Sequence, residues 1–91
     1  MKYEDKVCQL LRDSSDIHLL SGLSSECGEV CAVYQKSIYK DIPLDINNLI
    51  EELGDVLFYI TAIATKYGKT LSDLQEININ KLINRHNLEL I

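Results

Sequence analysis

Leu23-Ser-Ser-Glu26-Cys-Gly28-Glu29-Val30 and Leu49-Ile-Glu-Glu52-Leu-Gly54-Asp55-Val56 are two copies of one pattern, Leu-x-x-Glu-x-Gly-acid-Val, in a chain of 91 residues. Read as helix at about 100° per residue, with each leading leucine as zero, Glu26 and Glu52 both fall near 300° and Glu29 and Asp55 both near 240°. The same acidic edge is built twice. On the first helix the apolar arc holds Leu19, Leu20, Leu23, Cys27, Val30, Val33, Tyr34 and Ile38, and Glu26 sits inside it. On the second the arc is Leu49, Leu53, Val56, Leu57, Tyr59, Ile60 and Ile63, and Glu52 sits between Tyr59 and Ile63. A carboxylate aimed into a helix-helix seam needs a partner, because an unpaired buried charge is too costly to keep ionised. Four carboxylates in two matched pairs therefore predict a metal site.

Outward from these motifs the sequence reads as helix throughout, with no alternating strand pattern and no Asn-Gly or Asp-Gly hairpin. A first helix is expected from about Tyr3 to Arg12, burying Val7, Leu10 and Leu11. Asp13-Ser14-Ser15-Asp16 supplies capping side chains for a long helix that continues to about Tyr39 or Lys40. In the linker Asp41-Ile42-Pro43-Leu44-Asp45 the proline disfavours helix at Ile42, and Asp45 is a good N-cap for the next helix. That third helix runs from about Ile46 to Tyr67 and stops at Gly68, with Lys66 in its last turn. Thr70 or Ser72 starts a fourth, and Ser72 with Gln75 has capping-box spacing. The fourth helix is expected to carry Leu74, Ile77 and Leu82 inward, with Asn78, Lys81 and Arg85 along another side. Residues 87–91 are expected to fray, with Leu88, Leu90 and Ile91 available to a partner subunit.

The fold class is all-α: one domain over residues 1–91, a bundle of about four helices in which two long antiparallel helices carry the acidic motifs. Pivoting near Pro43 would place Glu26 opposite about Ile60 and Glu52 opposite about Tyr34, an offset of roughly one to two turns. Either the linker absorbs that offset, or another helix or a second protomer completes the cluster.

Composition narrows the function. With 46% hydrophobic and 25% charged residues, one proline and four glycines, the chain reads as ordered and globular. No stretch approaches the roughly 18 apolar residues of a membrane span, and Met1 to Arg12 carries charges where a secretory signal is apolar. A cytoplasmic protein with no membrane partner is expected. A net charge of −5 argues against binding a nucleic acid polymer, whose phosphates select a basic face, but not against one nucleotide held through metal ions. Cys8, Cys27 and Cys31 are an odd number, so reduced thiols are expected. Cys27 and Cys31, four apart on the apolar arc, are read as small buried hydrophobes, because their spacing with His18 matches no common zinc pattern.

Acids at i and i+3 on two helices offer hard oxygen ligands suited to Mg²⁺, with Mn²⁺ as the alternative. An iron-carboxylate bundle would show Glu-x-x-His repeats, whereas the third position here is Glu29 or Asp55. Divalent ions so held can bridge phosphate oxygens and acidify a bound water, which is what phosphoanhydride hydrolysis requires. Gly28 and Gly54, near 140° on both helices, each cost about 1 kcal/mol relative to alanine, and so suggest close backbone packing or room for a ligand.

Glu26-x-x-Glu29 followed by Glu52-x-x-Asp55, within Glu51-Glu-Leu-Gly-Asp-Val-Leu-Phe-Tyr59, resembles the MazG family of all-α nucleoside triphosphate pyrophosphohydrolases. The ending Ile77-Asn78-Ile79-Asn80-Lys81-Leu82-Ile83-Asn84-Arg85 is similar to the Asn-Ile-x-Lys-Leu-x-x-Arg ending of short members, so the likeness spans about His18 to Arg85. The resemblance implies Mg²⁺-dependent cleavage of a nucleoside triphosphate, often a deoxynucleotide or a non-standard one, to the monophosphate and pyrophosphate. Glu26, Glu29, Glu52 and Asp55 would be the metal ligands and catalytic carboxylates, with one of them or Glu51 handling the attacking water. Many members carry a further Glu just before the first motif, where this chain has Ser25.

Around that centre, Lys36 lies on the same helix edge as Glu29 and suits phosphate oxygens. Lys81 and Arg85 form an i, i+4 basic pair for the departing pyrophosphate. Asn78 and Asn80 offer donors and acceptors for base or sugar, from different sides of one helix. Tyr59 could stack on sugar or base, although aromatic residues at helical spacing are more often core; His18 is read as a capping or core residue. A homodimer or homotetramer is expected, because two long helices with wide apolar arcs exceed what one small protomer covers. Two other readings share the acids: a non-enzymatic helical oligomer or regulatory module binding a structural ion or a basic partner, and a phosphohydrolase of another pyrophosphate-containing metabolite.

Overall fold

A computed structural model describes residues 1–90. Ile91, expected to reach a partner, lies outside the described residues. Four helices follow one another: α1 (Tyr3–Leu10), α2 (Asp16–Lys40), α3 (Ile46–Lys66) and α4 (Leu71–His86). Side-chain chemistry sets their ends. Ser15 Oγ accepts from His18 N–H at the start of α2, and Asp45 Oδ1 accepts from Asn48 N–H at the start of α3, each satisfying an amide that the first turn leaves without a partner. At α4 the capping box is two residues earlier than its spacing predicts. Thr70 Oγ1 accepts from Asp73 N–H at 3.1 Å and Asp73 Oδ2 accepts from Thr70 N–H at 2.9 Å, so a Thr-Asp pair performs the role assigned to Ser72 and Gln75.

The long helices meet in opposite chain order. Asp16 of α2 pairs with Lys66 of α3, the His18 ring meets the Tyr59 ring edge-on at 6.0 Å, and Glu26 lies beside Glu52 and Asp55. Lys66 Nζ reaches Asp16 Oδ1 at 2.6 Å and Ser14 O at 2.7 Å, and Tyr67 Oη donates to Asp16 Oδ1 at 3.1 Å. This clamps the start of α2 to the end of α3. Beside the clamp sits the core, Val7, Leu19 and Ala62, with Leu11, Phe58, Tyr59 and Ile63 packed against it. Thr61 is fully buried and spends its hydroxyl on Leu57 O at 2.7 Å, which is how a helix interior satisfies a polar group without water. Glu4 Oε2 accepts from Leu71 N–H, tying α1 to the start of α4.

Several expectations about burial are corrected. Cys27 and Cys31 are exposed, not core. On α2 only Leu19 and Val33 are buried, whereas Leu20 and Ile38 are 69% and 72% exposed. Leu10 of α1 and Ile77 and Leu82 of α4 are exposed as well. One reason covers all of these: α3 takes the seam-facing side of α2, and nothing in the chain packs on the next quarter-turn. α4 itself has no buried residue.

Close helix approach occurs at Gly22, not at Gly28 or Gly54. A Cβ on Gly22 would run into the Tyr59 ring, whereas one on Gly28 or Gly54 would meet nothing within 4 Å. The Tyr59 ring is held edge-on by Phe58 and His18, so it cannot swing clear. Gly22→Ala should therefore destabilise the protein by about 1–3 kcal/mol through overpacking, while Gly28→Ala should stabilise it by up to about 1 kcal/mol through helix propensity. Urea denaturation of both variants checks the contrast in sign.

Candidate metal centre

Glu26 on α2 and Glu52 and Asp55 on α3 each present an oxygen such that all three lie within 4.8 Å of one another. Glu26 and Glu52 are half-buried in the seam and Asp55 is exposed at its edge. The acids thus meet in one chain, and the offset of one to two turns is absorbed. The linker does this by folding back. Asp41 takes a left-handed conformation (φ 50°) as the C-cap of α2, Ile42 N–H donates to Ser37 O at 3.1 Å, and Ser37 Oγ donates to Ile42 O at 2.6 Å. Residues 42–45 run along the last turns of α2 before α3 begins, so Asn48 lies near Val33, and the acidic motifs slide into register.

The electrostatics show a site lacking a cation of its own. Desolvation raises the Glu26 carboxyl above its ordinary 4.5, and the charges of Asp55 and Glu29 raise it further. Glu52 is raised by desolvation first and then by Asp55, Glu29, Glu26 and Glu51. Every charge acting on the two seam carboxyls is negative, and the salt bridge among the described residues, Lys66 to Asp16, lies at the far end of the seam. Glu29 does not join the group of three, but its charge is felt at both seam acids. An all-oxygen acidic donor set without an internal counter-charge fits a hard divalent cation.

Other expected site residues fall in different places. Lys36 lines a cavity of about 360 Å³ at the α2–α3 elbow, together with Val33, Ser37, Pro43, Asp45 and Asn48. On the helix angles this cavity opens on the same side of the seam as Glu29 and Asp55, about 10 Å along the axis from Glu26. Helix periodicity does not single out Asp45 and Asn48 as cavity residues; the signal is the short capped linker, whose fold-back makes the hollow. The Tyr59 ring packs into the core between His18 and Phe58. Asn78, Asn80, Lys81 and Arg85 are exposed on α4, and neither basic side chain acts on Glu26 or Glu52.

A model of the MazG nucleotide pyrophosphohydrolase domain matches residues 14–88 of the chain. The chain belongs to the MazG nucleotide pyrophosphohydrolase family. Membership implies nucleotide pyrophosphohydrolase activity in general terms, and the MazG match covers both acidic motifs and all of α4. Among the curated proteins and the solved structures nothing matches the chain. No helix among the described residues is long and apolar enough to cross a membrane.

A carboxyl whose pKa is higher folded than unfolded takes up protons on folding, so its contribution is full below the unfolded value and is lost as pH rises through the folded one. For Glu52 that loss begins above the ordinary 4.5. In EDTA, Glu52→Gln should match the wild type in Tm at low pH and exceed it as pH rises through this window. Mg²⁺ should raise the wild-type Tm far more than that of the variant. Equal pH profiles for the two proteins in thermal melts would contradict this account of the seam.

Proposed function

We propose that the protein is a Mg²⁺-dependent hydrolase, with Mn²⁺ able to substitute, that converts a (deoxy)nucleoside triphosphate to its monophosphate and pyrophosphate. The observation that carries this reading is the convergence of Glu26, Glu52 and Asp55 oxygens within 4.8 Å, in a chain whose family hydrolyses nucleotides. Glu26, Glu29, Glu52 and Asp55 hold the metal. When bound, a divalent ion neutralises phosphate oxygens and lowers the pKa of a water.

The chain's own residues supply alignment. Half-burial of Glu26 and Glu52 keeps their carboxylates in one geometry, so the phosphate chain meets a preorganised site. Glu51, exposed one residue before Glu52, is the carboxylate free to orient the attacking water and accept its proton. The water oxygen bonds to phosphorus at the α,β-phosphoanhydride, the bridging P–O bond breaks, and pyrophosphate leaves with the electron pair. Lys36 directs its ammonium to the phosphates from the elbow cavity, which is wide enough for sugar or base beside Asn48.

On α4, Lys81 and Arg85 receive pyrophosphate, and Asn78 or Asn80 contacts the nucleoside. Neither cation acts on Glu26 or Glu52 of its own chain. In a homodimer or homotetramer a second copy brings α4 to the site. Tyr59 acts from behind, holding Gly22 and the seam, instead of stacking on the substrate.

The test is a panel of canonical and modified (d)NTPs incubated with the purified protein and Mg²⁺, reading pyrophosphate and monophosphate. Release of both from at least one triphosphate is expected; a folded, metal-loaded sample that hydrolyses none would overturn the reading. Glu29→Gln, Asp55→Asn and Glu52→Gln should each lower turnover by about a hundredfold or more, the equivalent of several kcal/mol of transition-state stabilisation, while circular dichroism shows unchanged helix content.

A further inference from the structure

One side of the α2–α3 pair is apolar from end to end and has no cover within the chain. On α3, Ile46, Ile50, Leu53 and Leu57 recur at spacings of four, three and four, and are 56%, 60%, 45% and 40% exposed. On α2, Cys27, Cys31, Tyr34 and Ile38 recur at the same spacings, and all four are exposed. Both stripes fall between about 20° and 100° on the helix angles counted from Leu23 and Leu49.

Helices that meet in opposite chain order are related by a two-fold axis normal to their common plane, and rotation about that axis preserves the angle. The stripes therefore lie on the same side of the pair, as two parallel ridges. Farther along α3 the same ridge is covered. Ala64 is buried and Ile60 half-buried, with Leu74 of α4 and Leu23 of α2 beside them. The spacing is that of a seam which takes another helix, and α4 fills only one end of it.

Two measures show how much surface is missing a partner. A compact monomer of 10.4 kDa exposes about 5,400 Å², and this chain exposes 7139 Å². Its radius of gyration is 16.0 Å, against about 12 Å for a compact domain of this length. The excess of roughly 1,700 Å² per protomer corresponds to an interface of about 3,400 Å² in total, within the range of obligate homodimers. Neither stripe contains a charged residue, which decides the occupant. A chain of net charge −5 repels its own copy through most of its surface, and this is the side where that repulsion is least. A self-complementary pair of matched ridges suits a two-fold contact.

We propose that the face formed by Cys27, Cys31, Tyr34 and Ile38 of α2 and Ile46, Ile50, Leu53 and Leu57 of α3 is a homodimer interface, in which two α2–α3 pairs stack face to face. The acidic edge near 240° points to the other side, so the stacking leaves the carboxylates open. The inference stands apart from the hydrolase reading, since it concerns assembly and its readouts are mass and thiol reactivity.

Cysteine provides an internal probe. Cys27 and Cys31 lie on the face and Cys8 lies on α1, away from it, so covering the face should hide two thiols and leave one. Sedimentation velocity on the full chain should give twice 10.4 kDa or a higher even multiple. In the assembled protein a maleimide should modify Cys27 and Cys31 roughly tenfold more slowly than Cys8, read residue by residue by peptide mass. The double variant Ile38→Glu/Ile50→Glu, which places like charges across the contact at exposed positions, should sediment as a monomer and lose the protection of Cys27 and Cys31. A monomeric wild type with all three thiols reactive would overturn the proposal and leave the face to a different partner. A wild-type oligomer in which Cys27 and Cys31 react as fast as Cys8 would overturn it in favour of another contact surface, whether or not the variant folds.

Discussion

Crowding three carboxylates within 4.8 Å across a half-apolar seam is the constraint around which the molecule is arranged. Desolvation and like charge both oppose it, so the seam must be held from both sides of the acids. At one end the Lys66, Asp16 and Tyr67 contacts and the wedge of Tyr59 against Gly22 fix the helices. At the other, the folded-back linker with its Ser37–Ile42 hydrogen bonds does so. Between these anchors the helices cannot separate to relieve the repulsion. The relief left to the site is a proton or a metal ion, which is why an acidic cluster with no internal cation reads as a binding centre and not as a surface ion-pair network.

The same arrangement divides the α2–α3 pair into two sides with different chemistry. On one side the acidic edge opens beside the elbow cavity, where Lys36 and Asn48 offer polar groups. On the other run the two uncharged ridges. Separating charge from apolar surface in this way lets assembly and phosphate chemistry use one pair of helices without competing: a copy stacked on the ridges covers no carboxylate. α4 links the two, since its start packs near Ala64 while its basic residues project from its own protomer.

Much of this is legible in the residues alone. The repeated octapeptide locates the acids and the helices that carry them. Pro43 and Asp45 mark the break between the long helices, and the match to residues 14–88 agrees with the resemblance seen in Glu26, Glu29, Glu52, Asp55 and the Asn-Ile-x-Lys ending. Other features escape a reading of the residues for identifiable reasons. Helical angle alone cannot tell which part of a wide apolar arc faces a neighbour, so Cys27, Cys31, Leu20 and Ile38 look like core in projection although they are exposed. Gly28 and Gly54 draw attention because they repeat; Gly22, which does not, is the glycine that the close approach requires.

By itself the sequence determined the periodic and local features: four helices, their caps within a few residues, an all-α class and two acidic pairs on matched edges, because helix periodicity and capping act over one or two turns. Only the tertiary structure decided the register that brings Glu26 to Glu52 and Asp55, the cavity at the elbow, the placing of Tyr59 in the core and the uncovered ridges. Each of these depends on how far the linker folds back and on which quarter of each helix finds a neighbour. Those are sums of many weak contacts between residues distant in the chain, and no short pattern encodes them.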